Sequence, residues 1–158
     1  MKHKRRTDDE KKIEQLAERI CSDERVQRMR EYIQHGCITT FDHCKSVMEL
    51  SLAIDKKLRL NADRRVLVKG AMLHDYYLYD WHEDDPSHSL HGFFHAQRAA
   101  KKARKDFRIG KRVHHVIYVH MWPLNITRIP MSREAWIVCA ADKIVSLKET
   151  LFMRSEKS

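Results

Sequence analysis

Glycine and proline are scarce in this chain, at four and three of 158 residues. Many-stranded sheets need tight turns, and tight turns draw on those two residues. Their scarcity argues against most all-β architectures and favours long helices. The cysteines, Cys21, Cys37, Cys44 and Cys139, form no C-x-x-C pair; thiols scattered in this way fit a reducing compartment better than a disulfide framework. No apolar run approaches the ~18 residues of a membrane span, and Met1 to Glu10 is polar and charged, without the apolar stretch of a signal peptide. The expectation is a soluble, cytoplasmic, all-α chain whose length suits one domain. Residues 1–8 read as a flexible basic tail and residues 9–158 as a single helical bundle.

Positive charge, by contrast, is abundant. Lys and Arg number 31 against 22 Asp and Glu, for a net charge of +9 and a pI near 9.5. Such a surplus favours anionic partners, above all a small phosphate-bearing substrate, although basic residues also simply solubilise helix surfaces. The densest stretch holds Arg98, Lys101, Lys102, Arg104, Lys105, Arg108, Lys111 and Arg112. It could track a nucleic acid backbone, but reads more readily as a solvated helix face. Histidine is the second excess, with eleven residues, which invites a metal or acid–base explanation.

Apolar spacing supplies the elements. Ile13, Leu16, Ala17, Ile20, Val26, Met29 and Ile33 predict one amphipathic helix, or two broken near Ser22 and Asp23, with Gly36 as a left-handed cap. Thr39 to Asp42 is a helix-start signal, and the helix runs to about Leu60. Asn61 or Asp63 caps the next helix, whose Val66 to Leu73 is apolar on most sides and reads as central and buried. Residues 80–90 read as an irregular loop. Further helices are expected over 92–107, 111–121 and 132–152.

The sharpest local signal is His74-Asp75, which closes that apolar run. A buried helix ending in such a pair is costly without a partner. A divalent cation would serve, and so would ordinary hydrogen bonds. His43 lies one turn into its helix, at the edge of a core-facing row. Asp142 sits in an apolar helix face, beside Ala140 and Ala141, small enough to permit close helix approach. Together they place one His, a His-Asp pair and one Asp on three helices.

In this order the residues resemble the HD-domain superfamily, whose signature is H…HD…D on a helical bundle. Here it reads His43 in F-D-H-C-K-S-V, His74-Asp75 in A-M-L-H-D and Asp142 in A-A-D-K. The resemblance covers about Gly36 to Glu149 and implies a metal-dependent phosphohydrolase. Its two-metal members follow H…HD…H…H…D, which implies His95 and His120 as further ligands, with His91 a weaker choice, and Asp75 shared between two ions. One or two divalent transition metals are implied (Fe, Mn, Ni, Co or Zn). The Gly-Tyr-Pro signature of the cyclic-dinucleotide phosphodiesterases is absent, which argues against that specificity. The Tyr76-Tyr-Leu-Tyr-Asp-Trp and His120-Met-Trp-Pro segments are similar instead to compact HD hydrolases whose family membership does not imply a substrate.

In such a site Asp75 is expected to act directly in catalysis, with Lys45 or Arg98 contacting phosphate. Lys143 is expected to point away, because adjacent helical residues diverge by about 100°. Asp80, Glu83 and His88 are possible general acids. Tyr76, Tyr77, Tyr79, Trp81 and Trp122 would either stack on a base or close the core. His114 and His115 read as peripheral. Two other classes stay open: a di-iron oxygenase, and a non-catalytic nucleic-acid or signalling module.

Overall fold

The computed structural model describes residues 7–76 and 91–155. Helix α1 (Asp8–Cys21) begins on a reciprocal cap: the Thr7 hydroxyl accepts from the Glu10 amide at 3.3 Å, and the Glu10 carboxylate accepts from the Thr7 amide at 3.1 Å. The helix therefore starts at Asp8, inside the stretch expected to be tail; residues 1–6 lie outside the described residues. The six-residue gap between Ile20 and Val26 is the break the sequence allowed. There Asp23 caps the short helix α2 (Glu24–Gln27), which runs into a 3-10 turn (Arg28–Glu31) and seats Val26 and Met29 in the core.

Just after this point the structure departs from the helical pattern. Apolar spacing predicts helix as far as Ile33, but the chain turns instead through a small antiparallel hairpin, β1 (Ile33–His35) and β2 (Ile38–Thr39). Gly36 does adopt a left-handed φ of 57°, but it serves the hairpin turn and not a helix cap. The hairpin brings Gln34 to the mouth of the bundle.

Thr39 caps α3 (Thr40–Leu58), its hydroxyl accepting from the Asp42 amide at 3.2 Å. Asp63, and not Asn61, caps α4 (Arg64–Leu73), accepting from the amides of Arg65 and Val66. The buried Asp55 fixes the corner between them, taking the Ala62 amide and the Arg64 guanidinium, each at 2.9 Å. Helix α4 is the centre of the bundle, packed by α1, α3, α6 (Lys111–Val119) and α7 (Arg133–Ser155), with α5 (His91–Phe107) against α6. Its residues from Val66 to Val68 and from Gly70 to Leu73 are buried, as its all-round apolar character requires. On α7, Ala141 is buried but Ala140 faces out, so only one of the two alanines serves the close approach. No described helix is long and apolar enough to cross a membrane.

Helices α4 and α6 touch at Gly70. A Cβ there would lie 2.6 Å from Cγ1 of Val116. Alanine would gain about 1 kcal/mol of helix propensity, but overpacking of a filled core costs about 1–3 kcal/mol. Val116 is fully buried and has little room to give, so the clash dominates. Gly70→Ala is expected to lower the urea midpoint of unfolding; a raised midpoint would contradict this packing.

Candidate metal centre

Four histidines and two aspartates, drawn from α3, the end of α4, α5, the end of α6 and α7, converge in the interior. His74 follows α4 directly, and its Nδ1 donates back to the Ala71 carbonyl at 2.7 Å. His120 repeats the arrangement after α6, with Nδ1 donating to the Ile117 carbonyl at 2.7 Å. The carbonyls hold a proton on each Nδ1, so both rings turn Nε2 inward. His43 is held by a different partner: its Nδ1 lies 2.9 Å from the Glu149 carboxylate, and its Nε2 lies 3.2 Å from Oδ1 of Asp142.

Asp75 divides the cluster. Its Oδ2 lies 3.5 Å from Nε2 of His74 and 3.9 Å from Nε2 of His43. Its Oδ1 lies 3.3 Å from Nε2 of both His95 and His120. Asp142 Oδ1 completes the first side, 3.6 Å from His74 Nε2. On the second side the Nε2 atoms of His95 and His120 stand 3.0 Å apart. All six residues are buried.

Buried imidazoles and carboxylates this close perturb one another strongly. Burial alone would depress His43, but the carboxylates of Asp142 and Glu149 outweigh it and lift the imidazole to about 10. Burial pushes Asp75 up, yet the charge of His74 and the approach of His120 and His95 hold it well below the usual carboxylate range. Asp142 is likewise held down against its burial by His43 and His74. His120 is pushed down, chiefly by burial.

Two atoms test whether a cation fits. His74 Nε2 and Asp75 Oδ1 are fully buried, and neither has a hydrogen-bond partner among the described residues. An orphaned buried polar atom costs about 1–3 kcal/mol, and both atoms face the space between the ligating groups. Ligand atoms each ~2.1 Å from a shared ion stand about 3–3.5 Å from one another, close to the spacings here. The donors sort into sets that could each hold an ion: His43, His74 and Asp75; His74, His120 and Asp142; and Asp75, His95 and His120.

Several expectations need correction or addition. Lys45 sits on the solvent face of α3, about 200° around the helix from His43, with its ammonium 4.0 Å from Glu49; it does not join the cluster. Lys143 does. Its long side chain curls back so that Nζ donates to the His120 carbonyl at 2.5 Å and lies 3.2 Å from Oδ2 of Asp142. Arg98 is half-buried, one turn beyond His95. Tyr76 is a core residue whose hydroxyl donates to Asp106 at 2.9 Å, and Trp122 packs edge-on against Trp136. His114 stacks on Tyr118, and His115 accepts from the Met131 amide, both away from the cluster. Tyr77, Tyr79, Asp80, Trp81, Glu83 and His88 lie outside the described residues, as does the side chain of His91.

Sequence reasoning missed two partners. Glu149 lies seven residues, two helical turns, beyond Asp142, and that spacing was the available signal. Gln34 donates to Asp75 Oδ2 at 2.7 Å and accepts from the Thr40 hydroxyl at 3.3 Å; nothing in its polar hairpin marked it. Hydrogen-bond partners of ligating histidines typically contribute about 10–100-fold to metal affinity. Glu149→Gln is therefore expected to weaken the metal affinity by about that factor while the helical circular dichroism stays unchanged. Wild-type affinity in a competition titration would show that Glu149 has no such part.

A helical bundle with H…HD…D residues gathered on one point defines the class. Among protein-family models, the one described as HD domain matches residues 40–147. The chain belongs to the HD domain family. No curated protein and no solved structure matches it.

Proposed function

We propose that this chain is a metal-dependent phosphohydrolase that cleaves a phosphate ester or nucleotide. The observation that carries the reading is the division of Asp75, one carboxylate oxygen facing His43 and His74 and the other facing His95 and His120. This is the donor arrangement for two cations sharing a carboxylate. His43, His74, Asp75 and Asp142 would hold one, and Asp75, His95 and His120 the other. Divalent cations held there would supply an activated water and neutralise charge at phosphorus. The protein's own residues do the rest. Glu149, Ala71 and Ile117 fix three imidazoles with Nε2 inward, and Gln34 orients Asp75. Lys143 keeps a positive charge beside Asp142, where it can offset charge on an incoming anion. Arg98, one turn beyond His95, would be a second candidate to contact phosphate, and the net charge of +9 suits an anionic substrate.

The test is metal analysis of the purified protein with a panel of phosphomonoesters, phosphodiesters and nucleotides, assayed with manganese, cobalt or nickel. Metal-dependent phosphate release is expected. Oxygen consumption by a mixed-valent iron form, without phosphate release, would assign the same ligands to a di-iron oxygenase. A protein that takes up no transition metal, and is unaffected by His74→Ala, would be a non-catalytic module.

A further inference from the structure

Eight cations lie between residues 98 and 112, and the structure separates them by what they touch. Lys102 is paired with Asp106 at 3.2 Å, Arg112 binds Asp63 and Glu134, and Arg98 is half-buried. The remaining five, Lys101, Arg104, Lys105, Arg108 and Lys111, are exposed and take part in no salt bridge among the described residues. Lys101, Arg104 and Lys105 stand at i, i+3 and i+4, so they are neighbours on one helix face, together with the exposed ring of Phe94. Arg108 and Lys111 continue the row past the end of α5. The only acid from 94 to 111 is Asp106, which is occupied by Tyr76 and Lys102. The row also reaches α6: His114 is pushed below its ordinary range by partial burial and then by the charge of Arg104.

Like charges at these spacings destabilise a helix by a few tenths of a kcal/mol per pair, and Asp106, which is held down against its burial by Tyr76 and Lys102 and also feels Lys105, is the one acid within the segment to offset them. We infer that this outer face of α5 and the start of α6 binds the backbone of a single-stranded nucleic acid, separately from the metal cluster. The charge spacing favours this partner. Within α5, Lys101, Arg104 and Lys105 span about 6 Å at helical rise, a density of cations at least that of the phosphates on one strand of a duplex, about one per 3.4 Å. Phe94, 44% exposed beside the row, offers a ring on which a base can stack. His95 points inward from the same helix, so a bound strand would lie on the back of a helix that contributes to the cluster.

The test is fluorescence anisotropy of the full chain with a labelled single-stranded RNA, titrated across salt. With four phosphate contacts, affinity should fall about fifty-fold between about 50 and about 200 mM salt. The triple variant Lys101→Gln, Arg104→Gln, Lys105→Gln should bind at least about tenfold more weakly. A variant with the same charge change elsewhere, Lys11→Gln, Lys12→Gln, Lys57→Gln, should bind within about twofold of wild type. Metal content and hydrolysis of small phosphate esters should be unchanged in both, which separates this inference from the hydrolase reading. The inference is overturned if the RNA shows no salt-dependent binding, if both triple variants lose affinity equally, or if polyglutamate binds in place of RNA.

Discussion

Replacing Asp75 by alanine is expected to empty both halves of the cluster at once. Each half takes an oxygen from this one carboxylate, Oδ2 on the side of His43 and His74, Oδ1 on the side of His95 and His120. Losing it leaves the second half with two imidazoles and the first with two imidazoles and Asp142. The metal content should fall to background, and kcat/KM should fall by on the order of 10³ or more, equivalent to the several kcal/mol of charge stabilisation a cation supplies. Asp142→Ala is the informative contrast, because Asp142 lies by His43 and His74 and not by His95. It should lower metal content partially. Equal metal loss in the two variants would show that Asp75 is not shared, and full retention in Asp75→Ala would remove it from the site.

Stripping metal from the protein should lower its melting temperature by roughly 10 °C, and adding metal back should restore it. Without a cation, the interior holds His74 Nε2 and Asp75 Oδ1 with no hydrogen-bond partner among the described residues, along with a cluster whose charges depend on one another. An ion present at about a thousand times its dissociation constant stabilises the native state by about 4 kcal/mol. For a chain of this size each kcal/mol moves the midpoint by about 2–4 °C. The measurement is a thermal scan of metal-loaded and chelated protein, with metal content checked in each. An unchanged midpoint after verified removal would mean that the cluster is closed by hydrogen bonds alone.

Most helices were legible because their apolar residues recur at helical spacing and their caps are local. Thr39 and Asp63 are recognisable from a few neighbours. The hairpin was not, since Ile33 continued the apolar rhythm by coincidence and Gly36 is left-handed in a turn as readily as in a cap. At the site, His43, His74, Asp75 and Asp142 stood out as polar residues in apolar company, whereas His95 and His120 came from family resemblance. Glu149 and Gln34 reach the cluster through partners 106 and 41 residues away, and apart from the two-turn spacing of Glu149 from Asp142 one chain gives no direct sign of such pairings. Lys45 and Lys143 were misjudged for opposite reasons. Two residues past His43, Lys45 is turned to solvent by the helical angle itself and lies by Glu49. Lys143 starts on an unfavourable angle too, but its flexible stem carries the ammonium back to Asp142.

His74 and His120 are the residues at which α4 and α6 stop. Two helix ends therefore aim their partial negative charge at the same interior point, each equivalent to about half an electron charge. Even before Asp75 and Asp142 are counted, the backbone itself makes that point attractive to a cation and repellent to a phosphate. On the proposed reading an order of arrival would follow, with an anionic substrate meeting a favourable potential only after cations are bound.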